Sequence, residues 1–278
     1  MEEQASDIAA TVAQPVAAAQ QRTTHIFLAP HYDDVALSCG GTVAALADSG
    51  LRPLIVTVFG GEPAPDDLTA FARWQHERWG TEAGDTIATR LAEDEAAAAI
   101  LGCDTQILPF LDAIYRGDGY RSDEALFGTL LAADWPLTEE IVTAVTALPA
   151  INSPADTVFY VSLAIGDHVD HQLVYRVGRL LAARGWRVLA YEDFPYAILG
   201  DAADRRHGAI AGEIGSPEVL SIAATLTRRL DAIAAYRSQL PVIFRFTDDW
   251  RATIAASART IGGGAVAAER FWPLDSRA

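Results

Sequence analysis

The feature that most limits what this chain can fold into is an alternation of short β-branched, apolar runs with helix-length stretches. Leu54 to Phe59 reads LIVTVF, as a strand covered on both faces would. His25 to Pro30, Gln106 to Phe110, Thr157 to Leu163 and Val188 to Tyr191 repeat the pattern. Between them lie helix-forming segments: residues 42–48 closed by Gly50, Thr81 to Leu101 closed by Gly102, residues 137–148, and His171 to Arg184 stopped by Gly185. Residues 217–238 supply a last long helix, and residues 60–80 and 112–135 read as loops. The alternation predicts a three-layer α/β sandwich around a mostly parallel central sheet. No repeat or linker divides the chain, so residues 24–278 form one domain, preceded by an Ala- and Gln-rich arm over 1–23, frayed or disordered.

Charge narrows the partners. Of 278 residues, 21 are Lys or Arg and 37 are Asp or Glu, a formal balance of −16 that repels phosphate backbones and anionic lipid. Nucleic acid is therefore excluded as a partner, and a small molecule is expected. No stretch of about 20 apolar residues supports membrane insertion, and Met1-Glu2-Glu3 does not open a signal peptide. Cys39 and Cys103 are too few for a disulfide framework, which fits a cytoplasmic protein.

In open α/β sheets ligands bind beyond the carboxyl ends of the strands. Two loops there are rich in chemistry: Pro30-His31-Tyr32-Asp33-Asp34 after the first strand, and Gly166-Asp167-His168-Val169-Asp170-His171 after the fourth. Zinc hydrolases use three His or carboxylate ligands and keep one position open, a set that His31, Asp34 and His171 supply. Asp33 is then free to act as general base, and His168 to meet a developing oxyanion, best as an imidazolium. Simpler readings stand beside these. Asp-Asp after a strand serves as a helix N-cap, and His-x-x-His at a helix start can be a solvated surface feature.

Other residues are weighed in the same way. Arg90 and Asp112 are candidate contacts for sugar hydroxyls, or else an ion pair and a cap. Trp74, His76 and Trp79 form either a lid or loop anchors, and Glu192 or Asp193 ends the fifth strand at a pocket rim. Gly40-Gly41 suggests a nucleotide loop, but neither G-x-G-x-x-G nor a Walker lysine accompanies it. Close backbone approach explains the pair equally well. Rival functions are thus a nucleotide-dependent enzyme on the same scaffold, or a non-catalytic sugar- or metal-binding module. Such a module would tolerate loss of Asp33, which this sequence keeps.

FLAPHYDDVALSCGGT resembles the signature of the LmbE-like, PIG-L-type de-N-acetylases, and GDHVDHQLV resembles their second motif. Arg90-x-x-Glu93 and Tyr236-x-Ser238-Gln239 are similar to a third and a fourth. The resemblance spans about residues 24 to 240. It implies a Rossmann-like fold and one zinc per chain. It also implies hydrolysis of the acetamide of a small N-acetylated sugar conjugate, releasing acetate and an amine. By motif position it makes His31, Asp34 and His171 the zinc ligands, Asp33 the base and His168 the oxyanion-stabilising residue. Tyr32 and Val35 depart from the usual Pro and Glu, so the loop lacks one acidic partner.

Overall fold

The computed structural model describes residues 23–64, 68–80 and 85–275. The expected N-terminal arm lies outside these residues except for Thr23, as does the start of the helix expected from Thr81. The strands are β1 (Thr24–Ala29), β2 (Leu54–Thr57), β3 (Asp104–Ile107), β4 (Thr157–Ser162), β5 (Arg187–Tyr191), β6 (Glu218–Ser221) and β7 (Ala268–Pro273). They form one sheet in the order β3-β2-β1-β4-β5-β7-β6. The first five run parallel, with Ile26 paired to Leu54 on one side and to Phe159 on the other; β7 is antiparallel to both β5 and β6.

The helices are α1 (Asp34–Asp48), α2 (Ala70–Arg78), α3 (Thr86–Leu101), α4 (Asp123–Leu126), α5 (Leu137–Thr146), α6 (Val169–Ala183), α7 (Ala202–Ala209), α8 (Leu226–Ile233), α9 (Leu240–Ile243) and α10 (Trp250–Ile261). Alternate strand residues feed opposite cores, as the two-residue period of a strand requires. Ile26, Leu28, Phe159 and Val161 pack with Ile141 of α5 and Leu173 and Val177 of α6. Phe27, Val158 and Tyr160 pack with Val43 of α1, Leu101 of α3 and Ala232 of α8. These are the expected three layers.

The chain winds from β1 through β2 to β3, then crosses back to β4 beside β1. The order reverses between β1 and β4, and a crevice opens there at the carboxyl ends. The His31 and His171 loops therefore leave adjacent strands at the switch point.

Some elements depart from the sequence expectation. Residues 217–238 are not one helix: Glu218–Ser221 pairs with β7, a strand the pattern did not suggest, and α8 begins only at Leu226. The expected loop over 60–80 contains α2, capped by Thr69, whose hydroxyl accepts the Ala72 amide at 3.0 Å.

The first helix starts at Asp34, not at residue 42, and kinks at Cys39 (φ −146°, ψ 23°). The kink frees amides that a straight helix would use. Glu269 of β7 accepts the Gly41 and Thr42 amides at 3.0 and 2.7 Å and the Thr42 hydroxyl at 2.6 Å. Arg229 of α8 lies 3.2 Å from Glu269 and donates to the Leu37 carbonyl on the other side of the break. One buried ion pair thus holds both halves of α1. A Cβ at Gly41 would lie 2.8 Å from the Ile222 side chain, so the Gly-Gly pair serves close packing rather than a nucleotide.

Candidate metal centre

His31, Asp34 and His171 meet at the switch point, all three buried. Asp34 Oδ2 lies 3.3 Å from His31 Nδ1 and 3.4 Å from His171 Nε2. A tetrahedral ion with bonds of about 2.0–2.1 Å needs donors about 3.3–3.4 Å apart, so the spacing suits such an ion.

The far nitrogen of each imidazole is held. His31 Nε2 is 3.0 Å from Asp170 Oδ2, and His171 Nδ1 is 2.7 Å from Asp193 Oδ1. Such carboxylate partners fix the tautomer and aim the opposite lone pair at a metal. Asp170 is fully buried. It also accepts the Ala113 amide at 3.0 Å and forms a 2.6 Å pair with Arg116. Asp193 accepts the Ser162 hydroxyl and, at 2.8 Å, the Ile165 amide. His31, His168 and Asp170 also lie within metal-binding reach of one another. The Asp170–His31 hydrogen bond and the Asp170–Arg116 pair already engage the carboxylate of that second group.

The centre is short of positive charge. Burial alone would lower the His31 pKa, yet Asp112, Asp170 and Asp34 outweigh it and hold the pKa well above its ordinary value. His171 is raised in the same way, burial being overcome by Asp34 and Asp193. A pocket that drives two histidines toward protonation fits a divalent cation.

Asp33 occupies the N-cap position of α1, but its side chain makes no capping hydrogen bond. Its carboxylate is therefore not used as a helix cap. Burial raises its pKa, against the opposing charge of Arg90, whose guanidinium lies 3.8 Å away. Arg90 is itself buried, with Tyr32 and Trp79 at 5.2 and 5.1 Å. Asp112 spends Oδ1 on the Ile114 amide at 3.1 Å and turns Oδ2 to within 3.5 Å of His31 Nε2.

His168 is the N-cap of α6, its Nδ1 accepting the Asp170 amide at 3.2 Å. With Nδ1 an acceptor, the ring proton sits on Nε2. Burial, reinforced by His31 and His171, holds the pKa well below 6.5. Both effects favour a neutral ring, with a proton left to donate from Nε2, over the imidazolium expected from the sequence.

The geometry now has relatives. The PIG-L family profile, described as GlcNAc-PI de-N-acetylase, matches residues 26–182. The chain is 34% identical over 201 residues to the 2'-N-acetylparomamine deacetylase of Niallia circulans, covering 64% of this chain and 69% of that one. The chain belongs to the PIG-L de-N-acetylase family. Two solved structures extend the likeness. A deacetylase from the teicoplanin biosynthesis pathway has a TM-score of 0.78 and 25% identity over 92% of this chain and all of its own. The A40926 pseudoaglycone deacetylase has a TM-score of 0.72 and 29% identity over 92% and 99%. Like other PIG-L members, the chain is a hydrolytic de-N-acetylase, and its donor set supports a divalent metal. Among the described residues no helix is long and apolar enough to cross a membrane.

Within this frame the remaining motif residues are braces. Glu93 accepts the Ser238 amide and hydroxyl at 2.8 and 2.7 Å, joining the third motif to the fourth. The Tyr236 hydroxyl lies 2.9 Å from the Tyr32 carbonyl and 2.8 Å from Asp94. Val35 is fully buried in the core, so the departure at that position removes an acid without leaving a gap at the centre. Glu192 pairs with Arg270 and accepts from Trp272 at 3.0 Å, away from the metal donors, whereas its neighbour Asp193 holds His171. His76, on α2, bonds the Tyr115 hydroxyl at 2.6 Å, and Trp74 is 44% exposed, so the aromatics of that segment divide between anchor and surface.

Asp170, Arg116 and Tyr196 were missed by sequence reasoning, and Asp193 was expected only at a pocket rim, not as the partner of His171. Asp170 stood inside the second motif and Asp193 at a strand end. Arg116 and Tyr196 carried no signal. Tyr196 packs where a side chain on Gly166 would go: a Cβ there would lie 2.6 Å from its Cγ, and Gly166 has φ +91°.

Proposed function

We propose that the chain is a zinc-dependent hydrolase that removes the acetyl group from the N-acetyl amide of a small sugar conjugate. The observation that carries this reading is the Asp34-centred triangle of two imidazole nitrogens and one carboxylate oxygen, with the uncommitted Asp33 beside it. Two nitrogens and one oxygen at tetrahedral spacing suit zinc. His31, Asp34 and His171 would hold the ion, which supplies Lewis-acid polarisation of the acetyl carbonyl and acidifies the attacking water.

The protein's own groups do the rest. Asp33, made more basic by burial, takes the proton of the attacking water and returns it to the leaving amine nitrogen. Arg90 limits that rise in basicity and holds the carboxylate in place. His168 donates its Nε2 proton to the carbonyl oxygen as negative charge develops there. Asp112 and Arg90 line the approach and take sugar hydroxyls. Acetate and a free amine leave.

The test is acetate release from N-acetylglucosaminides by zinc-loaded protein, run beside Asp33→Asn. The variant should keep its metal and lose activity by about 10²–10⁴, the usual contribution of a general base. Near-normal turnover in Asp33→Asn would remove Asp33 from the mechanism.

A further inference from the structure

A second concave surface lies along α6. His168, Gln172, Arg176 and Arg179 are spaced by three or four residues, so they form one stripe along the helix. The stripe begins at the catalytic centre and reaches Arg176 about 12 Å further along the axis, at about 1.5 Å of rise per residue. From Gln172 onward it walls a groove of about 710 Å³, closed on the far side by α7. The segment from Phe127 to Leu130 forms the ridge between centre and groove. The Phe127 ring stands edge-on to His168 at 5.2 Å, and the Gly128 carbonyl accepts Gln172 Nε2 at 2.7 Å.

The groove runs against the charge of the protein. In a chain of net charge −16 it contains three arginines and one carboxylate, Glu213. Glu213 is already committed to Arg179 and to the Tyr175 hydroxyl at 2.8 Å. Arg176 and Arg206 pair with no carboxylate among the described residues. Arg176 lies over Trp135 at 5.0 Å, and Arg206 over Tyr175 at 4.4 Å, with its Nε donated to the Leu163 carbonyl at 2.7 Å. Among the described residues, no hydrogen bond or ion pair engages the terminal nitrogens of either guanidinium group. Trp135 is 52% exposed, the highest value among the exposed large hydrophobic side chains. Guanidinium groups take carboxylates in fork-like pairs, and an exposed aromatic ring offers a face on which a flat group can stack.

We propose that this groove binds the part of the substrate beyond the N-acetylated sugar, and that this part carries a carboxylate on a flat, aryl-like framework. The proposal rests on the deacetylase reading above and narrows it. The flat face lies against Trp135, the carboxylate reaches Arg176 and Arg206, and Phe127 underlies the crossing from sugar to groove. Conjugates with cationic extensions are disfavoured.

The test compares two synthetic substrates, the 4'-carboxybiphenyl glycoside of N-acetylglucosamine and its 4'-carboxamide. Wild type should show a KM for the carboxylate about tenfold below that for the carboxamide, as expected for a charge-assisted contact. The difference should lie in KM rather than kcat. Arg176→Ala and Arg206→Gln, checked for folding by circular dichroism, should each shrink the preference, and the double variant should abolish it. Trp135→Ala should raise KM for both compounds. Equal KM values in wild type, or a preference that survives the double variant, overturns the proposal. Calorimetric binding of both compounds to Asp33→Asn protein separates this failure from failure of the deacetylase reading. If neither compound releases amine, a tenfold tighter Kd for the carboxylate still supports the groove, and equal Kd values reject it.

Discussion

Replacing Asp94 by asparagine isolates the effect of a buried carboxyl that its surroundings push toward the protonated form. The Tyr236 hydroxyl has one hydrogen and faces two oxygens, the Tyr32 carbonyl at 2.9 Å and Asp94 Oδ1 at 2.8 Å. One hydrogen thus serves two acceptors, and the other Asp94 oxygen, Oδ2, is buried with no hydrogen-bond partner among the described residues, so the carboxylate is poorly compensated for its burial. The surroundings agree. Burial, with added repulsion from Asp33 and Glu95 and against the pull of Tyr236 and Arg90, pushes the carboxyl up from 3.8 to about 7. A carboxyl whose pKa is raised by folding contributes stability that is fully present below its unfolded pKa and is lost as pH rises through the folded one. A gap of about 3 pK units at about 1.4 kcal/mol each amounts to about 4 kcal/mol. The asparagine side chain mimics the protonated acid and cannot ionise. Wild type and Asp94→Asn should therefore be equally stable near pH 4. The variant should gain about 1.4 kcal/mol per pH unit up to about pH 7, then stay level. Urea unfolding of both proteins in EDTA, across pH 4 to 9, measures the difference without the pH dependence of metal binding. A difference that stays flat across this range would falsify the protonated Asp94.

Four substitutions probe the centre. His31→Ala and His171→Ala should each lower zinc content sharply from about one ion per chain, measured by mass spectrometry, because a three-ligand site has no redundancy; full occupancy in either would unseat that ligand. Asp193→Asn should weaken zinc affinity by about 10- to 100-fold in chelator competition, since the partner of His171 Nδ1 is altered while the ligand stays. An unchanged affinity would reduce Asp193 to a packing role. His168→Ala should keep its zinc and lose about 10²–10³ in kcat with KM little changed. A loss confined to KM would make His168 a substrate contact only.

The layered fold was legible because its strands are short, β-branched and bounded by glycines, and buried parallel strands leave that trace. The two loops of the candidate centre were legible because ligand sites sit at strand ends, and His31, Asp34 and His171 stand just after apolar runs. The C-terminal sheet edge was not. Glu218–Ser221 alternates over only four residues beside a helix-rich stretch, and its pairing with Ala268–Pro273 depends on a partner about 50 residues away. Supporting carboxylates were equally hidden. Asp94 and Glu269 act through what they touch across the fold, and nothing in their neighbours along the chain distinguishes them from solvated acids; Asp193 could be placed at a strand end, but not against His171. His168 lies beside His31 and His171 as expected, but the Asp170 amide at its Nδ1, which favours a neutral ring, becomes visible only once the helix start is built.

The kink of α1 carries a consequence for how such enzymes can be recombined. The family profile ends at residue 182, yet the helix that opens with Asp34 is clasped at its break by Arg229 and Glu269, both far beyond that point. The last third of the chain is therefore not an interchangeable module. A chimera that grafts the C-terminal segment of a relative onto residues 26–182 would retain the first three motifs and still shift the Asp33–Asp34 pair, unless the graft brings its own clasp. By the same route, drift at β7 can retune the centre while its signature stays intact.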